Sequence, residues 1–407
     1  MKILFFLLSL SSSLMARGQV LEKYFSRSTF SLSASSTSVG KNIYINISKN
    51  SYFEILPREN MIFKLNDSLK VMDSLDLSGF DRPIYNHQVL VQRILPFDGD
   101  TLIALVNQLY PDSSFSGLYF PNVTSNLLFF DSNLNVFDTI SFNSDSVFFH
   151  SLFILKEKNN WIVSGQVTDT LNNVARPFIK IFDRDFLFKK TAVYPNLIRN
   201  NSSCGFINLI KISNNYLGRV IGSNRYFALL DTNFSLVSNY NAVDSTESNF
   251  YFYGYGDFVE RDQNLPIYIG PAYREVWGAI PTPPYFDNYW YMGIGQIDSS
   301  GRIQEIDSIP FVGFNYRVGH PNDGYYFLSP DFSFLDKRKS DSILFAIAGQ
   351  TYFFDNYTDS IPNQIYIYNF NANTKQLNWF KIFEPGVATS TVVQSSTLPN
   401  NRFLIIL

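Results

Sequence analysis

The chain has 407 residues, with 32 Lys and Arg against 35 Asp and Glu, a formal charge of −3, and only 16% charged residues. So mild a balance excludes phosphate-driven nucleic-acid binding and gives no polybasic patch for anionic lipid. A single cysteine, Cys204, excludes an intrachain disulfide framework, so packing must hold the fold together.

The N-terminus is laid out as a secretory leader. Lys2 supplies a positive start, Ile3 to Leu10 is a short apolar run, and Ala16-Arg17-Gly18 places small residues at −3 and −1, so cleavage is expected before Gln19. The apolar run is too short to span a bilayer as a helix. This division makes residues 1–18 a signal peptide and residues 19–407 a single domain, secreted or at the cell surface. The mature chain then carries 30 basic and 35 acidic residues, a charge of −5.

Aromatic residues make up 17% of the chain, with 40 Phe and 25 Tyr. These residues fit pleated, half-buried surfaces, and clusters of Asn, Ser and Asp punctuate them as turns require. No stretch after Phe30 shows convincing helical periodicity, so the fold class is all-β.

One pattern recurs along the chain: an apolar run, an Asp or Asn turn, then a second strand. The copies are "MIFKLNDSLKVMDSLDL" from Met61, "LLFFDSNLNVFDTISFN" from Leu127, "FIKIFDRDFLFKKTAV" from Phe178, "YFALLDTNFSLVSNYNAV" from Tyr226, "MGIGQIDSSGRIQEIDSI" from Met292 and "IYIYNFNANTKQLNWFKIF" from Ile365. Their first turn residues are Asn66, Asp131, Asp183, Asp231, Asp298 and Asn371, at steps of 48 to 73 residues. Where the spacing is tight, two further strands fit between copies, as in "VFFHSLFILK" and "NNWIVSGQV". Four antiparallel strands per unit, repeated, is the signature of a β-propeller. A long sandwich or solenoid is the competing architecture, but sandwiches seldom sustain such a unit over this length.

The chain ends predict how the propeller closes. Met61 to Leu77 reads as strands three and four of a blade, and "TSTVVQSSTLPNNRFLIIL" as strands one and two with nothing after. Pairing of Phe403–Leu407 with Met61–Leu65 would join N- and C-terminal strands in one blade and give six blades. Strand-like material in residues 24–56 ("NIYINIS", "YFEIL") and unassigned residues 312–331 could supply a seventh.

The unit "NNWIVSGQV" followed by "FIKIFDRDFLFKKTAV" resembles the degenerate Kelch-like repeat propellers common among secreted Bacteroidota proteins, over most of residues 60–407. The resemblance implies a propeller in an extracellular setting, often with a C-terminal sorting domain for type IX secretion, which is not recognisable before Leu407. Their usual Asp-x-x-Gly turn survives only at Asp298 to Gly301; Leu, Phe or Thr replaces the Gly elsewhere. Fold alone assigns no activity.

Chemistry is sparse. His87 and His320 read as loop residues, His150 sits in the apolar run "VFFHSLF", and no histidine or cysteine spacing matches a metal site. No cofactor and no metal are therefore expected. "DSN", "DRD", "DTN" and "NDG" are oxygen-rich, but read first as turns. Asp257, Glu260 and Asp262, with Glu275 beyond, are the carboxylates that could hold a glycosidase pair, but a charged strand edge is the better explanation of them.

Residues 249–293 read as a long interval rich in Tyr, Trp and Pro between clear strands. Long loops carry function, and rigid aromatics anchor partners or stack on sugar rings. The candidate binding residues are Tyr253, Tyr255, Trp277, Tyr285 and Trp290, although such residues also simply pack an insert onto its own blade. The favoured function is a non-enzymatic, monomeric binding or scaffold module for glycan or protein. The alternative is an extracellular carbohydrate-active enzyme with a carboxylate pair.

Overall fold

The computed structural model describes residues 2–9, 20–26, 31–49, 60–77, 88–110, 122–142, 147–169, 174–197, 204–221, 226–241, 250–252, 257–259, 265–277, 286–310, 325–327, 331–336, 342–348, 351–353, 365–371, 373–374, 376–383, 394–398 and 402–406. These are almost entirely strand. β1 (Lys2–Ser9) and β2 (Val20–Ser26) come first, and β3 (Ser31–Val39), β4 (Asn42–Lys49), β5 (Asn60–Leu65) and β6 (Val71–Asp76) follow as a meander. The next meander is β7 (Gln88–Pro96), β8 (Leu102–Tyr110), β9 (Asn122–Phe130) and β10 (Val136–Ser141). Then come β11 (Val147–Lys156), β12 (Asn160–Asp169), β13 (Val174–Asp183) and β14 (Phe188–Val193). β15 (Gly205–Ile212), β16 (Asn215–Ile221), β17 (Tyr226–Leu230) and β18 (Leu236–Asn241) form another four-stranded sheet.

In the next sheet β19 (Phe250–Phe252) and β20 (Asp257–Val259) both pair with β21 (Ile267–Trp277), which continues to β22 (Phe286–Ile297) and β23 (Ile303–Pro310). β24 (Tyr325–Phe327) pairs with β27 (Thr351–Phe353), while β25 (Asp331–Asp336), β26 (Ser342–Ala348), β28 (Ile365–Asn371) and β29 (Gln376–Phe383) make a four-stranded sheet. β30 (Gln394–Leu398) and β31 (Arg402–Ile406) join the first two strands in the order β2-β1-β31-β30. Four-stranded antiparallel meanders strung one after another are propeller blades, and the chain is an all-β protein of that class. Its residues fall into two compact units, Met1–Leu209 with Gly218–Asn239 and Ser396–Ile406, and Ile210–Leu217 with Tyr240–Ser395 and Leu407.

One expectation needs correction here. β31 pairs with β1, Phe403 opposite Leu8 and Ile406 opposite Phe5, and not with Met61–Leu65. The meander β3–β6 is complete without it, because residues 31–49 supply its first two strands. The C-terminus does provide two strands of a mixed-end sheet, but Lys2–Ser9 and Val20–Ser26 provide the other two. An apolar run with a positive start reads as a leader, and nothing local to Lys2–Ser9 marks it as the partner of Arg402–Ile406.

Middle strands of the first unit bury both faces. Ile103, Leu105, Leu127 and Phe129 pack towards β11–β14 with Phe149, Trp161, Val163 and Phe178. The alternate residues Leu102, Ala104, Val106, Leu128 and Phe130 pack towards β3–β6 with Tyr44, Ile62 and Val91. Hence "LIALV" and "LLFF" read as continuous apolar runs, while the outer strands β6 and β10 are mostly exposed.

The recurrent turn is the same device each time. Asp131 Oδ1 accepts the N–H of Asn133 (2.8 Å) and of Asn135 (2.9 Å), and Asn66, Asp183, Asp231 and Asp298 repeat this at i+2 and i+4. Asn371 differs slightly, accepting from Asn373 and Thr374. The side-chain amide and backbone N–H of Asn135 hold the Asp131 carboxyl below the usual carboxylate range. The fourth turn residue adopts positive φ: Leu69 at 57°, Leu134 at 66°, Phe186 at 60°, Phe234 at 59° and Gly301 at 82°. A left-handed backbone costs a non-Gly residue about 1–2 kcal/mol. Leu69, Leu134, Phe186 and Phe234 are all buried, and burying such a side chain is worth about 1.5–3 kcal/mol, which offsets the strain. That is why Leu and Phe can stand where the motif expects Gly.

A tyrosine from the preceding sheet clasps three of these turns. Tyr44 Oη donates to the Ser132 carbonyl (3.0 Å), Tyr194 Oη to the Phe234 carbonyl (2.7 Å), and Tyr240 Oη to the Gly301 carbonyl. Sheet edges are managed as well. One extra residue interrupts the register on the outer strands at Met72, Phe137, Lys189, Gln304 and Asn378, and on the first strands at Leu32, Gln92, Leu152 and Leu335. Bulged, twisted edges resist pairing with another chain.

Candidate functional site

The aromatic interval 249–293 is for the most part not a loop. Phe250–Phe252, Asp257–Val259, Ile267–Trp277 and Phe286–Ile297 are paired strands. Aromatics occupy both parities in "NYWYMG", so the two-residue alternation that marks a half-buried strand is lost there, and the stretch reads as irregular. At 11 and 12 residues, β21 and β22 are the longest strands described.

Among the described residues, β19 pairs with β21 as far as Phe250 opposite Arg274, and β23 pairs with β22 as far as Pro310 opposite Tyr291. The hairpin itself is described further, through the pairs Glu275–Asn288, Val276–Asp287 and Trp277–Phe286. Trp290 lies directly opposite Tyr273 and Trp277 directly opposite Phe286. Trp277 and Trp290 thus hold positions of the same parity on adjacent strands, roughly 13 Å apart along the ladder. Aromatic cross-strand pairs are among the more stabilising ladder pairs. Tyr253, Tyr255 and Tyr285 lie outside the described residues.

Of the candidate carboxylates, the described two, Asp257 and Glu275, do not assemble as a pair. Asp257 is opposite Ile269, whereas Glu275 sits six residues further along the same strand. That is roughly 20 Å of strand, well beyond the ~5–10 Å a glycosidase pair needs. Glu260 and Asp262 lie outside the described residues, as do His87 and His320. Among the described residues no group of three His, Cys, Asp or Glu could hold a metal ion, and no helix is long and apolar enough to cross a membrane.

His150 and Cys204 are poor reagents. Burial pushes the His150 imidazole down to about 4, so it is neutral near pH 7, and its Nε2 is sealed without a hydrogen-bond partner among the described residues. Burial pushes the Cys204 thiol up to about 12, and its Sγ faces the Leu197 carbonyl. A thiol that far from ionising is no nucleophile.

Sequence reasoning missed a buried polar seam between β7–β10 and β11–β14. Asn107 Nδ2 donates to the Ser151 carbonyl (2.7 Å), and Ser151 N–H donates to Ser125 Oγ (2.8 Å). The single Ser125 hydroxyl proton is shared between Asn107 Oδ1 and the Phe149 carbonyl, each 2.5 Å away. Nearby, Lys180 is buried with its Nζ 3.7 Å from the centre of the Phe149 ring, donating to the Phe142 carbonyl (2.9 Å). Burial pushes the Lys180 ammonium down to about 8. The available signal was a polar residue inside a run buried on both faces, as in "LVNQL" and "FIKIF". These groups bond to one another and to backbone, which locks two sheets together and leaves no reacting atom presented to a ligand.

No protein-family model and no curated protein match the chain. Among solved structures it is similar to an α-L-arabinanase from Penicillium chrysogenum complexed with arabinobiose, at 11% identity, TM-score 0.45, covering 92% of this chain and 99% of that one. It is also similar to an α-L-arabinofuranosidase from Fusarium graminearum in complex with an iminosugar inhibitor, at 12% identity, TM-score 0.45, covering 85% and 94%. A third is the β-propeller domain of the Trilobed protease from Pyrococcus furiosus, described as having an open velcro topology, at 10% identity, TM-score 0.40, covering 90% and 88%. These are remote likenesses of propeller folds, so the Kelch-like resemblance goes no finer than the propeller class, which rests on the sheets themselves.

Proposed function

We propose that this chain is a secreted or cell-surface propeller module that binds a glycan or protein ligand through the β21–β22 hairpin, and that it performs no catalysis. The observation that carries this reading is the long β21–β22 hairpin, which sets Trp290 opposite Tyr273 and Trp277 opposite Phe286. Rigid aromatics at such positions are suited to anchoring a ligand. The spacing of Asp257 and Glu275 weighs against the carbohydrate-active enzyme reading.

The test is a glycan array and a co-purification experiment on the wild-type protein and on the double variant Trp277→Ala, Trp290→Ala. Binding should fall at least tenfold in the variant, with thermal unfolding little changed. Undiminished binding sinks the hairpin, and release of reducing sugar from any polysaccharide sinks the non-enzymatic reading.

The extracellular setting rests on the leader layout of residues 1–18, and it has a consequence for the fold. A secreted protein that begins at Gln19 lacks β1, the strand between β2 and β31. Its Arg402–Ile406 amides should then exchange hydrogen faster than those of a chain that retains Lys2–Ser9, and N-terminal sequencing tells which form is secreted.

A further inference from the structure

In the sheet β2-β1-β31-β30, β1 lies between β2 and β31 and pairs antiparallel with both. Phe5 stands between Lys23 and Ile406, Phe6 between Glu22 and Ile405, Leu7 between Leu21 and Leu404, and Leu8 between Val20 and Phe403. No residue slips out of register along either ladder. Elsewhere the sheet edges are protected: a bulge interrupts the pairing of the first strands β3, β7, β11 and β25 and of the outer strands β6, β10, β14, β23 and β29. Such bulges keep an edge from accepting another strand. The edge of β31 that β1 covers, Arg402 to Ile406, is uninterrupted. Residues 403–406 of β31 and Ile3 to Leu8 of β1 are apolar at both parities, the pattern of strands inside a sheet and not at its margin.

We propose that, in a secreted chain that begins at Gln19, the uncovered edge of β31 captures an extended apolar segment of another protein as an added strand, antiparallel to Arg402–Ile406. This rests on removal of residues 1–18, the leader reading given above. The chemistry of the occupant is read from the strand it replaces: five residues or more, apolar at successive positions and free of proline, with a main chain able to continue the ladder. In strand addition the main-chain hydrogen bonds supply the affinity. β2 is a poor substitute, because β2 and β31 are both antiparallel to β1 and therefore parallel to each other, and a parallel pair is slightly less stable per residue. The bulged strands of a second copy are poor donors for the same reason that they are protected edges, which points to a different protein. The site shares no residue with the β21–β22 hairpin.

The purified secreted chain, sequenced from its N-terminus, is titrated with a fluorescent peptide of the Lys2–Ser9 sequence bearing a solubilising tail. The control is the same peptide N-methylated at Phe6 and Leu7, adjacent residues whose N–H groups point to opposite edges of a strand. Saturable binding is expected, at least tenfold weaker for the methylated peptide. The Arg402–Ile406 amides should exchange hydrogen at least tenfold more slowly in the complex, and the double variant Trp277→Ala, Trp290→Ala should bind the peptide as wild type does. A secreted chain that retains Lys2–Ser9 would refute the leader reading and the proposal with it, since β1 then covers the edge. A chain that begins at Gln19 but ignores the peptide, binds both peptides alike, sediments as a dimer, or protects Arg402–Ile406 unaided would overturn the proposal alone.

Discussion

The sheet β11–β14 and the sheet β19–β23 share one repeat and differ in what their middle strands do. In the first, β12 and β13 pair over ten residues from Asn160–Asp183 to Asp169–Val174, flanked by full strands, and one face packs into an aromatic and aliphatic core. In the second, β19 and β20 both pair with β21, and the middle hairpin pairs over eleven residues from Ile267–Gln296 to Trp277–Phe286. The turn plug differs too: Phe186 fills its left-handed position and stacks on Trp161 (4.9 Å, 24°), where the other sheet has Gly301. A repeat whose strands are matched in length can bury everything it carries. One with aromatic residues at successive positions of a long hairpin carries more of them than a single buried face takes, and the proposed function assigns those to a ligand.

If that contrast is real, the two sheets should respond differently to equivalent substitutions. Gly165→Ala should have the largest effect, about 3 kcal/mol or more, because a Cβ there would fall against the His150 carbonyl and neighbouring backbone of β11. Gly295→Ala should cost clearly less, since its Cβ would meet only the movable Ile303 side chain, 2.6 Å away. Equal losses in urea unfolding would erase the distinction. Phe186→Gly comes next, at about 3 kcal/mol: it relieves a left-handed Phe but removes ring contacts to Phe97, Phe129, Trp161 and Phe182. A neutral result would mean that the plug contributes no packing.

Lys180 makes the comparison pH-dependent. Its ammonium ionises near 8 in the folded protein against 10.5 ordinarily. The unfolded chain therefore holds that proton more tightly, and stability should rise between pH 8 and 10.5 and be reduced below pH 8. Lys180→Met should flatten that rise and stabilise the protein at pH 7 by about 1–2 kcal/mol, after the loss of the bond to Phe142. A destabilised variant would mean that the cation–ring contact outweighs desolvation. The smallest effect belongs to Tyr194→Phe, about 1 kcal/mol from one lost hydrogen bond to the Phe234 turn, read as a shift in thermal midpoint.

Local chemistry was legible in the sequence. Asp131 and its five counterparts were expected to be turn-formers, and each places its side-chain oxygen on the N–H groups that follow. Such a turn needs only a short side chain and four neighbouring residues. The β5–β6 hairpin from Met61 was legible for the same reason. β3 was not, because "SLSASSTSV" has almost no apolar residues and becomes a strand by pairing with β4. Trp277 and Trp290 were legible as candidates, but their places on two adjacent strands came from register alone.

By itself, then, the sequence determined the all-β class, the four-stranded unit and the turns, because composition and i to i+4 chemistry act within a few residues. Tertiary structure decided which strand meets β31, which sheet seats Phe186 and Tyr194, that Asn107, Ser125 and Lys180 are tied into a seam, and that the aromatic interval is a hairpin. Each of these depends on what lies across a sheet or between two sheets, and the residues that meet there are tens to hundreds of positions apart.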